Sequence, residues 1–142
     1  MRYFKFLLPV LFVFSFWPVA LVAQTEADLS KSRKLARIKA AYIYKFTNYA
    51  YWPLEDLMKE FRICVMSSEN LSQQIEEVVS RVKFRNRIPI RVIFCKTPAD
   101  IKDCHMLVLD AADKSQNLWA AYSKIRGKKV LMVTENLVDY QK

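Results

Sequence analysis

The pattern of apolar and polar positions is dominated by one long amphipathic segment. Between residues 35 and 49, large apolar side chains recur in steps of three and four, a spacing that places them on one face of a helix. They are Leu35, Ile38, Tyr42, Phe46 and Tyr49. Four further apolar residues widen this stripe: Ala36, Ala40, Ile43 and Ala50. Pro53 disfavours helical geometry at the residue before it, which sets the end of the helix near Trp52. The pattern therefore predicts a helix that begins near Ser30 and buries this apolar face against a sheet.

Shorter apolar runs alternate with further helical patterns through the rest of the chain. The predicted strands are 61–66, 88–94, 105–109 and 130–133. The predicted helices between them are 70–82, 98–102 and 115–126. Strands that alternate with helices form a parallel sheet covered on both faces. The predicted fold class is therefore α/β, a three-layer sandwich with a mainly parallel sheet and helices on both faces.

Residues 1–23 have the pattern of a secretory signal peptide. Basic residues precede an apolar core, and small residues lead up to Ala23. We expect cleavage before Gln24, which would leave 24–142 as one exported domain. An uncleaved anchor is the alternative, because the apolar run 6–23 nearly reaches the roughly 18 residues that a spanning helix needs.

Composition restricts the chemistry that this domain can perform. The formal net charge of +9 suits an anionic partner, but export of the domain argues against nucleic acid. The single glycine cannot build a glycine-rich phosphate loop, and the single histidine cannot build a histidine-rich zinc site. We therefore expect no enzymatic activity, no metal and no cofactor.

Two polar positions near the third predicted strand have alternative interpretations. His105 opens that strand, where a lone histidine is more often a hydrogen-bonded core residue than a base. Asp110 and Asp113 follow the strand, at the edge where open α/β sheets bind ligands. The acid pair indicates either the start of a helix or a crevice for a small ligand. The second interpretation would make the protein a periplasmic ligand-binding module that serves a sensor kinase or transporter.

Aromatic residues concentrate near the end of the long helix. Tyr44 and Tyr51 fall off the predicted buried face, and Trp52 ends the same aromatic cluster. Exposed aromatics beside basic residues are typical of protein interfaces. We take these three as candidate partner-binding residues. The alternative for Trp52 is that it closes the end of the core. A second basic segment, 83–91, is either a docking face or solvated loop charge.

Several of these motifs occur together in one known family. Lys39-Ala40-Ala41-Tyr42 followed by Trp52-Pro53, the strand 61–66, the Cys104-His105 strand and the segment 127–134 stand in the order found in the YfiR family of exported bacterial proteins. The chain resembles that family over residues 35–135. The resemblance implies a periplasmic repressor that dimerises. Such a repressor binds the periplasmic sensor region of an inner-membrane diguanylate cyclase, restrains it and lowers cyclic di-GMP, and redox change or envelope stress would release it.

The same resemblance bears on the end of the chain and on its cysteines. The family usually continues with another strand or two and a closing helix, so we expect this chain to lack its C-terminal segment and to expose a sheet edge. In an oxidising compartment, Cys64, Cys95 and Cys104 allow one disulfide and one leftover thiol. The resemblance favours a Cys64–Cys104 bond, and Cys95–Cys104 is the alternative.

Overall fold

The computed structural model describes residues 17–66, 68–82, 84–85, 87–110 and 115–135. The helices are α1 (Trp17–Tyr49), α2 (Glu69–Val82) and α3 (Ser115–Ile125). The strands are β1 (Phe61–Met66), β2 (Phe84–Arg85), β3 (Ile88–Cys95), β4 (Met106–Leu109) and β5 (Leu131–Thr134). Short 3₁₀ turns occupy Glu55–Leu57 and Pro98–Asp100.

The chain divides into two compact units, 1–34 and 35–142. The first contains the N-terminal part of α1, which begins at Trp17, so the predicted start near Ser30 was wrong. Most of the predicted signal peptide lies outside the described residues, so its cleavage stays a prediction. None of the described helices is long and apolar enough to span a membrane.

The second unit is built on a five-stranded sheet with the order β2-β3-β1-β4-β5. The strands β3, β1, β4 and β5 run parallel, and the two-residue β2 pairs antiparallel with β3. The central strand β1 therefore has β3 on one side and β4 on the other. This topology confirms the predicted mainly parallel sheet; only β2 lacked a signal in the sequence, since two residues show no periodicity.

The sheet separates two apolar clusters. Alternate residues of β1 point to opposite faces, so Ile63 and Val65 join a cluster with α1 and α2, whereas Cys64 and Met66 join a cluster with α3. Helices thus cover both faces of the sheet. The predicted three-layer architecture is confirmed.

The face of α1 that packs on the sheet is only in part the predicted one: the small residues expected to widen the apolar stripe are buried, and its large residues are not. Ala36, Ala40, Ile43 and Thr47 form the buried face, with at most 6% of each residue exposed. The predicted stripe is exposed instead, from 44% at Phe46 to 86% at Tyr49. Alanine side chains let the helix approach the strands closely, so small residues form the packed face and the large ones point to solvent. The expected burial of the large apolar stripe was therefore wrong.

Candidate partner-binding surface

An extended exposed apolar surface runs along the part of α1 that belongs to the second unit, and we call it the α1 stripe. It consists of the predicted but unburied residues Leu35, Ile38, Tyr42, Phe46 and Tyr49. At a rise of 1.5 Å per residue, it extends about 21 Å along the helix. Contiguous exposed apolar surfaces on this scale are typical of interaction sites in soluble domains.

Positive charge accompanies the α1 stripe. Arg37 and Lys45 are exposed on the same helix, and the Lys45 ammonium lies 5.9 Å from the centre of the Tyr42 ring. Residues 35–49 include no aspartate or glutamate. Arg37 projects from the other side of α1, so a partner that covers this apolar surface would meet the ammonium of Lys45.

A second exposed apolar group lies on the turn that follows α1. Tyr51, Leu54 and Leu57 are 83%, 68% and 77% exposed. Leu54 adopts a left-handed backbone conformation with φ of 61°, which is uncommon for a residue with a side chain. Tyr51 and Leu54 also line an open cavity of about 760 Å³, together with Arg87 and other charged residues. Strained backbone at an exposed apolar turn is consistent with a binding role.

Arg85 holds this turn against the end of α1. Its side chain is almost fully buried, and it donates hydrogen bonds to the carbonyl oxygens of Thr47 and Ala50. It also forms an ion pair with Glu55. These bonds satisfy carbonyl groups that the end of a helix leaves without intrahelical partners.

The guanidinium of Arg85 is also enclosed by aromatic rings. It lies 4.6 Å from the Trp52 ring centroid and 4.9 Å from that of Phe61. Within the basic segment 83–91, Arg85 is therefore a core residue rather than docking or solvated charge. Arg87 and Arg91 of that segment are exposed.

The predicted partner-binding residues occupy different environments. Tyr51 is exposed, and Tyr44 is half-buried. Trp52 is only 3% exposed, and its indole N–H donates a hydrogen bond to the carbonyl oxygen of His105 at 3.1 Å. Of the two interpretations of Trp52, closure of the end of the core is confirmed and exposure is wrong, because this hydrogen bond and the rings around Arg85 hold it there. The structure therefore leaves Tyr51, but not Trp52, available to a partner.

Sequence reasoning missed most of the exposed apolar surface. Leu54 and Leu57 follow Pro53 in a segment with no periodicity, so their only signal was apolar character within a predicted turn. The α1 stripe was recognised but assigned to the core. The smaller residues beside it, Ala36, Ala40 and Ile43, were assigned to the same buried face, and for them burial is confirmed.

His105 occupies a structural position at the amino end of β4. Its Nδ1 atom accepts a hydrogen bond from the backbone N–H of Arg62 at 2.9 Å. Its ring stacks on that of Phe61, with 5.2 Å between the two ring centroids. Burial, reinforced by the positive charge of Arg62, lowers the pKa of His105 from its ordinary value. A neutral, hydrogen-bonded imidazole is the arrangement expected of a core histidine.

Asp110, one of the two acids predicted at the carboxyl edge of the sheet, forms an ion pair with Lys39. Lys39 Nζ lies 2.7 Å from Asp110 Oδ1 and 2.8 Å from Glu135 Oε1. Burial alone would lower the pKa of Lys39, but the hydrogen bonds to both carboxylates raise it above its usual value. Asp113 lies outside the described residues. Among the residues that are described, no group of three or more histidine, cysteine or acidic side chains could hold a metal ion.

The three cysteines are buried thiols beneath α3. The Cys95 thiol donates to the carbonyl oxygens of Ile93 and Asp100, and the thiols of Cys104 and Cys95 both influence the ionisation of Cys64. Interaction with the Cys104 thiol, partly offset by interaction with the Cys95 thiol, raises the pKa of Cys64 to about 12. The same Cys64 thiol lowers the pKa of Cys104, despite burial. Cys104 is therefore the thiol that ionises most readily, and the predicted Cys64–Cys104 bond stays a prediction.

Comparison with known proteins identifies the family of this chain. No curated protein matches the chain. The family described as YfiR/HmsC-like matches residues 36–141, which include the whole described sheet and the α1 stripe apart from Leu35. Because the match extends over most of the sequence, this chain belongs to the YfiR/HmsC-like family.

Proposed function

We propose that this protein binds the periplasmic sensor region of an inner-membrane diguanylate cyclase and restrains it. Cyclic di-GMP inside the cell would fall as a result. Membership of the YfiR/HmsC-like family supports this proposal, since that family is periplasmic and regulatory rather than catalytic. The signal-peptide pattern of residues 1–23 agrees with a periplasmic location.

The observation that carries the proposal is the exposed apolar surface of the second unit. The α1 stripe and the Tyr51–Leu57 turn expose large apolar side chains that a solitary soluble domain would ordinarily bury. Repression needs no chemistry: the protein need only bind the inactive cyclase more tightly than the active one. To move the cyclase from about 99% active to about 99% inactive, the two affinities must differ by about 10⁴-fold.

Co-purification with membranes retained tests the proposal directly. A tagged full-length chain, expressed in its own host, is recovered from gently solubilised envelopes, and the co-purifying proteins are identified by mass spectrometry. We expect a membrane protein with a periplasmic loop and a diguanylate cyclase domain. Deletion of the gene should raise cellular cyclic di-GMP, and the wild-type gene in trans should restore it.

A control variant guards against non-specific adhesion. Trp119→Ser removes a half-exposed aromatic from α3, on the opposite side of the sheet from α1, and should bind and repress like wild type. If no cyclase is recovered and deletion leaves cyclic di-GMP unchanged, the proposed function is wrong.

A further inference from the structure

We infer that Cys104 is the modification site at which an external disulfide reacts with this domain, and that Cys64 then resolves the mixed disulfide. The class of reactant is therefore a disulfide, carried either by a small molecule or by a thiol–disulfide oxidoreductase. The inference does not depend on the proposed function. It concerns the route by which the predicted Cys64–Cys104 bond forms, which the pairing itself does not specify.

Cys104 is the one of the three cysteines that a reagent can reach in the folded domain. It lies just before β4, is 7% exposed, and lines an open cavity of about 330 Å³ together with Arg62 and His105. Cavities from about 300 Å³ upwards are typical of small-molecule sites. Cys64 and Cys95 have no exposed surface. A disulfide in this cavity can therefore meet Cys104, whereas the other two thiols are shielded by the fold.

Hydrogen bonds hold the segment around Cys104 against the start of β1. The backbone N–H of His105 donates to the carbonyl oxygen of Arg62 at 2.9 Å, and the backbone N–H of Arg62 donates to His105 Nδ1 at 2.9 Å. The Arg62 guanidinium also donates to the carbonyl oxygen of Asp103 at 3.4 Å. Both sequence neighbours of Cys104 are thus bonded to Arg62. The thiol is held in position at the cavity before any reagent arrives.

The neighbours of Cys104 favour its thiolate, which is the reacting form of a thiol. Interaction with the Cys64 thiol lowers the pKa of Cys104 despite burial, and the nearby charge of Lys128 acts in the same direction. The pKa of Cys64 is raised to about 12, mainly by Cys104. Interaction with Cys64, together with burial, raises the pKa of Cys95. Cys104 therefore combines access to the cavity with the greatest tendency to ionise.

The reaction takes place in two exchange steps. In the first, the Cys104 thiolate attacks one sulfur of R–S–S–R, so that a Cys104–S–S–R bond forms and the other half leaves as RS⁻. In the second, Cys64 attacks the Cys104 sulfur, the bond to R breaks, and the departing sulfur takes the proton of Cys64 and leaves as RSH. The two protein thiols are oxidised by two electrons, and R–S–S–R is reduced to RS⁻ and RSH.

The first step prepares Cys64 for the second. The largest influence that raises the pKa of Cys64 is the Cys104 thiol. A mixed disulfide has no ionisable group, so this influence ends once Cys104 is bonded to R. Cys64 then loses its proton more readily and can act as the nucleophile.

Cys95 takes no part in either step. It ends β3, on the opposite side of β1 from β4, whereas Cys64 lies on β1 beside the strand that follows Cys104. The Cys95 thiol donates to the carbonyl oxygens of Ile93 and Asp100. Its position favours Cys64 as the resolving thiol.

Trapping of the mixed disulfide tests the order of the two steps. The full chain with Cys64→Ala lacks the resolving thiol, so oxidised glutathione should leave one glutathione on Cys104, which peptide mapping by mass spectrometry locates. In wild type the adduct should give way to the Cys64–Cys104 bond. A second arm replaces glutathione with a purified oxidoreductase that carries an active-site disulfide. An adduct on Cys104 in either arm supports the inference, and the faster arm identifies the source of the disulfide.

Two further variants are the controls. Cys95→Ala should pass through the same adduct and form the same bond as wild type. Cys104→Ala should acquire neither an adduct nor an intrachain bond over the same time. A first adduct on Cys64 or Cys95, oxidation of Cys104→Ala at the wild-type rate, or no adduct in either arm would overturn the inference.

Alkylation of the reduced wild-type chain gives a test that needs no variant to fold. After brief treatment with iodoacetamide, Cys104 should be modified about tenfold faster than Cys64 or Cys95, because the cavity exposes it and its thiolate is favoured. Peptide mapping measures the three rates. Equal rates would mean that the thiols react only when the domain opens, and Cys104 would not be the point of entry.

Discussion

At the scale of single residues, the environment determines what each polar group does. His105 accepts a hydrogen bond at Nδ1 from Arg62 N–H, a role open only to the unprotonated nitrogen. Its pKa is below its ordinary value of 6.5 because burial and the charge of Arg62 disfavour the imidazolium. Above that value the histidine is neutral in both the folded and the unfolded chain. Below it, the unfolded chain takes up the proton first, so acidification favours unfolding.

This sign gives a testable pH dependence. The free energy of unfolding should fall as pH decreases from about 7 to about 5, and part of that fall should be absent in His105→Asn. Asparagine retains an acceptor near the Nδ1 position but does not titrate. Urea unfolding of both proteins across this range measures the difference. Parallel profiles for wild type and variant would show that His105 does not contribute.

Residue roles were predictable only where the sequence neighbourhood determines them. A lone histidine at the start of an apolar strand pointed to a core position. Arg85 gave no such signal, because its burial depends on Glu55, Trp52 and Phe61, which are distant in sequence. Long-range ion pairs and stacked rings have no local pattern from which they could be inferred.

At the scale of elements, α1 has two apolar faces, of which one is buried and the other is exposed. Its alanine-rich face packs on the sheet, and its aromatic face remains exposed. The periodicity of the sequence located the helix but could not rank the two faces. The size of the side chains was a misleading guide to burial, because a helix that packs close to a sheet needs small residues at the contact. The strands were easier to locate, since short β-branched runs between turn residues resemble little else.

Substitutions on the two faces of α1 should therefore have opposite consequences. Ala40→Leu adds bulk where Ala40 is fully buried, and it should destabilise the fold by about 1–3 kcal/mol. Phe46→Gln changes the exposed stripe and should alter stability by no more than about 0.5 kcal/mol. Urea unfolding midpoints compare the two. A larger loss for Phe46→Gln would mean that the stripe is the packed face after all.

At the scale of the whole molecule, the sheet brings distant cysteines together. Cys64 lies on the central strand β1, Cys104 comes just before its neighbour β4, and Cys95 ends β3 on the other side. The predicted fold class implied that these strands could be neighbours. It could not choose the bonded pair, because either cysteine is adjacent to the central strand.

Oxidation should link Cys64 to Cys104 and leave Cys95 as a thiol. A bond that closes a loop of about 40 residues would add roughly 4 kcal/mol to the free energy of unfolding by the chain-entropy model. Non-reducing peptide mapping identifies the pair, and unfolding with and without reductant measures its effect. Cys95→Ala should keep both the bond and the effect of the reductant. Recovery of Cys64 as a free thiol from the oxidised protein would contradict the pairing.

The buried arginine on β2 also orders events in time. Arg85 completes the C-terminal turn of α1 through carbonyl groups that precede it by 38 and 35 positions in the chain. A chain that emerges from its amino end, whether from a ribosome or a translocon, exposes those carbonyls before their donor has followed. The last turn of α1 can therefore be completed only after β2 and β3 have paired, and the exposed Tyr51–Leu57 turn is fixed in place at the same step.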